Sequence, residues 1–92
     1  MSKMMPVHPG EVLRDNLAEL EIGVSEAALK LGISRSALSR VVNCHGAISP
    51  NLARRLEQAG LGTARMWLAV QLSHELAVEQ SGEAPNVQKL VA

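Results

Sequence analysis

Arg35, Ser36, Ser39, Arg40 and Asn43 recur at steps of one and three residues, and all five carry hydrogen-bonding side chains. On a helix this spacing puts them on one side. Arg and Asn can bond base edges in pairs, Ser can bond bases or phosphates, and the major groove of duplex DNA admits one helix. The chemistry this stretch offers is therefore groove reading. Leu38, Val41 and Val42, interleaved at helical spacing, give the same helix an inward side.

Such a helix needs a partner to hold it. Ser25 to Asn43 reads as two short helices joined by a tight turn, a helix-turn-helix. Ser25 is placed to cap the first helix and Ser34 the second. Ala27, Ala28, Leu29 and Leu31 supply an apolar stripe, Gly32 follows the last periodic residue, and Ile33 fills the corner. Two helices crossing at roughly 90–120° need close approach, which Ala28 provides. A plain helical hairpin with a wet polar side is the alternative. The joint occurrence of Ala28, Gly32, Ile33, Leu38 and Val41 at the motif's spacing favours helix-turn-helix.

The remaining elements are also helical, so the expected fold is all-α with five helices. Residues 1–7 read as a loose arm, 8–79 as the domain and 80–92 as a C-terminal tail. Pro9 suits a first helical position and Glu11 the positive end of the helix dipole; Val12, Leu13, Leu17 and Leu20 then line one face. Ser49-Pro50 starts a fourth helix with Leu52, Ala53, Leu56 and Ala59 inward and Gly60 at its end. Arg54 and Arg55 stay outside; both are candidates for backbone phosphate contacts, Arg54 the one carried forward, with a solvated helix face as the equal alternative for either. Thr63 caps a fifth helix to about Val78. Its apolar residues exceed one stripe. Met66, Trp67, Val70, Leu72 and Leu76 are therefore candidates for a dimer interface, against the simpler option that the helix only closes the core. Val87 to Ala92 is open to a short edge strand or to mobility.

Ninety-two residues with 47% hydrophobic and a single aromatic, Trp67, allow one domain with an aliphatic core. No signal sequence or membrane-length apolar run is evident, and the lone Cys44 forms no internal disulfide, so the expected compartment is the cytoplasm. Net charge is zero, but its distribution is not uniform. Residues 30–65 carry six Lys and Arg against Glu57 alone, while the segments on either side are acidic. Local charge governs attraction to phosphate. His8 beside Glu11 is expected to cap or lie on the surface. Cys44-His45 lacks companion ligands and is expected to be structural. No metal or cofactor is implied, and His8, His45 and His74 sit on separate elements without a nucleophile or carboxylate pair, so no enzyme is expected.

Four motifs in order carry a family resemblance: His8-Pro9-Gly10-Glu11-Val12-Leu13, the Ser25–Asn43 unit, Ile48-Ser49 with the helix after it, and Met66-Trp67-Leu68-Ala69-Val70-Gln71. Over about residues 6–78 the chain resembles the HigA-type antitoxins of the XRE/Cro helix-turn-helix family. The resemblance implies a five-helix, lambda-repressor-like domain, usually a homodimer on a palindromic operator. It implies autorepression of a type II toxin–antitoxin operon and neutralisation of a HigB-type mRNA endonuclease toxin. Base-edge contacts would fall on Arg35, Ser36, Ser39, Arg40 and Asn43, and phosphate contacts near Ser25, Glu26, Ser34 and Ser49. Two other functions compete: a protein-interaction module without DNA binding, and a stand-alone XRE-type repressor without a toxin.

Overall fold

The computed structural model describes residues 6–92. Five helices follow in order: α1 (Pro9–Glu19), α2 (Val24–Leu31), α3 (Arg35–Val42), α4 (Pro50–Gln58) and α5 (Ala64–Ser81). Among the described residues there is no strand, and no helix is long and apolar enough to cross a membrane.

Four of the helix starts are capped by side chains. His8 Nδ1 accepts from the Gly10 amide, Ser34 Oγ from Ala37, Ser49 Oγ from Leu52 and Thr63 Oγ1 from Met66, each satisfying an otherwise free first-turn donor. α2 is the exception. It begins at Val24 with Gly23 as its cap residue and no side-chain cap bond, so Ser25 lies inside the first turn and does not cap it. At the other end Gly32 takes the left-handed conformation, φ 72°, and lets the chain turn into α3.

α1 and α2 both pack on α3, while α5 packs on α4 and reaches back to α1. The core is Leu13 and Leu17 from α1, Ala27, Ala28 and Leu31 from α2, Leu38, Val41 and Val42 from α3, and Leu52, Ala53 and Leu56 from α4, closed by Ile48 and Trp67. Three apolar residues expected inside are not. Leu29 is 81% exposed, because the eight-residue α2 turns only its Ala27–Ala28–Leu31 stripe to the crossing. Leu20 and Ala59 are exposed because they are the C-cap residues of α1 and α4, past the last packed turn.

α1 comes close to the backbone of α3 at Gly10. A Cβ on Gly10 would overlap the carbonyl oxygen of Val41. This gives the Gly of the His-Pro-Gly-Glu run a packing reason. Two polar side chains pin the loops. Gln71 is buried, accepts from the Ile48 amide at 2.8 Å and donates to Glu75 at 3.1 Å, tying the α3–α4 loop to α5. Trp67 Nε1 donates to the Leu61 carbonyl at 2.7 Å, tying down the α4–α5 loop.

α5 runs three residues beyond its expected end. The helix stops where Gly82 becomes extended, and Ser81 Oγ donates back to the Val78 carbonyl. Val87 to Ala92 is exposed and forms no strand. Of the expected arm, residues 1–5 lie outside the described residues. The Pro6 carbonyl oxygen lies 3.2 Å from His74 Nδ1 on α5.

Two outcomes follow from this packing. In an open helix Gly→Ala would stabilise by ~0.5–1 kcal/mol. At Gly10 the overlap with Val41 reverses the sign, and Gly10→Ala is expected to lose ~1–3 kcal/mol in urea unfolding. The second concerns pH. His8 can cap only with Nδ1 unprotonated. Burial first, then the edge-to-face His74 ring, hold its pKa below the ordinary 6.5, with Glu11 opposing. The unfolded chain thus binds the proton more readily, so the His8 contribution is present above pH ~6.5 and is lost as pH falls through the lower folded-state value. Thermal melting should show this acid loss, and His8→Asn, which keeps a cap acceptor but does not titrate, should reduce it.

Candidate nucleic-acid interface

α3 packs into the core from one side. Leu38, Val41 and Val42 are buried, while Arg35, Ser36, Arg40 and Asn43 are exposed and Ser39 is half-buried. The structure thus brings the five expected base-reading residues together on the outer side of one helix. Four of the five side chains make hydrogen bonds within the chain. Arg35 Nε donates to Ser25 Oγ on α2 at 2.8 Å. Asn43 Nδ2 donates to Ser39 Oγ at 3.2 Å, and Arg40 Nη2 reaches the His45 carbonyl at 3.4 Å, a longer and weaker contact. That carbonyl is brought near by a turn through Cys44, whose φ of 64° lets the His45 amide bond the Arg40 carbonyl.

Beside α3 lies an open recess of about 360 Å³ whose walls include Arg40, Ser49 and Asn51. Ser34 and Ser49, expected near phosphates, both cap helices. The two roles are compatible. A hydroxyl that accepts a cap bond keeps its O–H proton, and that proton can go to a phosphate oxygen. Glu26 pairs with Lys30 at 3.3 Å within α2, which directs its charge along its own helix.

The two neighbouring arginines of α4 separate. Arg54 is exposed. Arg55 turns inward: Nη1 donates to the Leu31 carbonyl at 2.8 Å and the Gly32 carbonyl at 3.3 Å, while Nε donates to Asn51 Oδ1 at 2.8 Å. A Cβ on Gly32 would sit 2.9 Å from that Nη1. Arg55 therefore satisfies the free carbonyls at the end of α2 and ties α4 to the helix-turn-helix corner, a role that outward placement on α4 missed. No sequence period signals it, because donor and acceptors are more than twenty residues apart.

The α5 candidates divide too. Trp67 must be withdrawn from the dimer set: it is fully enclosed by its own chain, with its N–H spent on Leu61. Leu72 and Leu76, one turn apart, are 57% and 49% exposed, Met66 is 39% exposed and Val70 is half-buried. The helix thus has an inner side built on Trp67 and Gln71 and a second apolar side directed outward.

No family model matches the chain. Relatives do. The chain is 42% identical over 80 residues to virulence-associated protein A of Dichelobacter nodosus, covering 84% of this chain and 78% of that protein. An antidote protein of a plasmid maintenance system from Nostoc punctiforme superposes with TM-score 0.82 at 33% identity, covering 85% and 86% of the two chains. Antitoxin HigA of Pseudomonas aeruginosa, solved with the higBA promoter, superposes with TM-score 0.79 at 32% identity over 83% and 84%. The chain belongs to the HigA-type antitoxins of the XRE-like helix-turn-helix family.

For a HigA-type antitoxin the Arg55 bridge has a measurable consequence. Arg55→Ala leaves carbonyls at the α2 end without their charged donor and is expected to cost ~1–3 kcal/mol of unfolding free energy. Arg54→Ala, on the exposed side, is expected to stay within ~0.5 kcal/mol. Denaturant titration of the two variants checks the contrast.

Proposed function

We propose that the chain is a dimeric DNA-binding antitoxin that represses its own toxin–antitoxin operon and neutralises a HigB-type mRNA endonuclease toxin. The observation that carries the DNA reading is α3 itself: its inner side is spent on the core, and its outer side presents Arg35, Ser36, Arg40 and Asn43. The related HigA solved with its promoter supports the same assignment.

In this proposal two copies of α3 enter successive major grooves of a palindromic operator, with half-sites roughly 34–36 Å apart. Arg35 and Arg40 bond guanine edges, Ser36, Ser39 and Asn43 complete the base contacts, and Ser34, Ser49 and Arg54 hold the backbone. The outer side of α5, with Met66, Val70, Leu72 and Leu76, supplies the dimer contact. Burying it removes exposed apolar area that a lone small domain cannot cover. The toxin is the second partner.

A mobility shift with duplex from upstream of the chain's own operon tests the reading. Arg35→Ala or Arg40→Ala should each cost ~1–3 kcal/mol, and discrimination should relax at one base pair. Arg54→Ala should instead weaken binding to all sequences alike and reduce the salt slope by about one. A shift indifferent to both Arg35 and Arg40 would remove α3 as the reader. Co-purification of the toxin encoded in the same operon, with loss of its mRNA cleavage in the complex, tests the antitoxin half.

A further inference from the structure

We infer that Ser25 is a specificity-determining positioning residue: it holds the Arg35 guanidinium so that Arg35 reads guanine end-on, through its two terminal nitrogens. The inference rests on α3 being the DNA-reading helix, as proposed above.

Arg35 is the first residue of α3 and is exposed. Its Nε donates to Ser25 Oγ at 2.8 Å, across from α2 and ten residues earlier in the chain. A guanidinium has two edges that can make a parallel pair of bonds. One uses Nε with a terminal nitrogen, and the other uses both terminal nitrogens. With Nε committed to Ser25, the end-on edge is the one left for a base. Guanine presents O6 and N7 side by side in the major groove, two acceptors that match it.

Ser25 is free for this task because of how α2 starts. Ser34 and Ser49 spend their oxygens capping their own helices. α2 begins one residue before Ser25, with Gly23 at the cap position and no side-chain cap bond. The Ser25 oxygen is thereby released from its own helix and turned to the next one. The chemistry of a hydroxyl matters as well. A carboxylate at this place would take two guanidinium donors and cancel the charge. Ser25 takes one and leaves the cation intact, while the nearby Glu26 is engaged with Lys30 at 3.3 Å. A long, flexible arginine is thus partly ordered before DNA arrives, so less side-chain freedom is lost on binding.

The test uses the full chain, its Ser25→Ala, Ser25→Thr, Arg35→Ala and Ser25→Ala/Arg35→Ala variants, and the duplex upstream of its own operon with single base-pair changes. Ser25→Ala is expected to weaken operator binding roughly three- to tenfold. It should flatten discrimination at the same base pair that Arg35→Ala flattens, with affinity for unrelated duplex unchanged. Ser25→Thr, which keeps the hydroxyl, should restore it. In the Arg35→Ala background the Ser25 change should have no further effect, the non-additivity of residues acting through one contact. Matched circular dichroism melts confirm that the variants are folded.

Equal weakening on every sequence would make Ser25 a phosphate contact and overturn the inference. An undiminished effect in the Arg35→Ala background, or unchanged discrimination in Ser25→Ala, would also overturn it. If Arg35→Ala itself flattens no base pair, Arg35 is not a reader and the Ser25 role falls with it, while the reading-helix assignment fails only if Arg40→Ala is silent as well. If Arg35 matters and Ser25 does not, only the Ser25 role falls.

Discussion

Burial of Leu38, Val41 and Val42 is the interaction on which the rest of the structure depends. α3 has eight residues, too few to hold a helix in water by itself. Its order comes from the apolar side that α1 and α2 cover. Because that side carries the apolar packing, the opposite side need not be apolar and can carry arginine, serine and asparagine. The small residues around it serve the same end. Gly10 lets α1 approach the Val41 backbone, Ala28 keeps the α2 crossing close, and Gly32 lets the chain turn between them.

Polar side chains then remove the slack that an aliphatic core leaves. A core with one aromatic residue fills space without fixing directions. Direction comes from three bridges: Arg55 to the end of α2, Gln71 to Ile48 before α4, and Trp67 to Leu61 before α5. Each satisfies a backbone group in or beside a loop, and each links segments that the fold would otherwise join by packing alone. Together they hold the α2–α3 corner, the α3–α4 loop and the α4–α5 loop to the body. Such support keeps α3 at a fixed angle although its outer side is uncovered.

Charge follows the same division of labour. The chain is neutral overall, yet residues 30–65 are strongly basic. Within that block the tertiary structure sorts the cations. Arg35 and Arg40 stay on the outer side of α3, Arg54 faces out from α4, and Arg55 is drawn into the corner. Lys30 is paired with Glu26. The family membership and the outward arginines thus meet on one short helix, and the second apolar side of α5 lies on another.

Local signals in the chain were enough for the five helices, three of the four side-chain caps, the Gly32 corner and the residues on the outer side of α3. These depend on spacing along one helix or on a serine or threonine before a helix start, which neighbours in sequence determine. His8 as the cap of α1 was one of two options, and the bond to Gly10 decided it. Other features were decided only when distant segments met. Ser25 reads as a cap until the start of α2 shifts by two residues and Arg35 arrives beside it. Trp67 reads as surplus apolar surface until α4 and the Leu61 loop close around it. Leu29 and Leu20 read as core until the short crossings leave them outside. Periodicity tells which residues share a side of a helix. Which side is covered, and which arginine is spent holding the fold, depends on contacts between segments far apart in the chain.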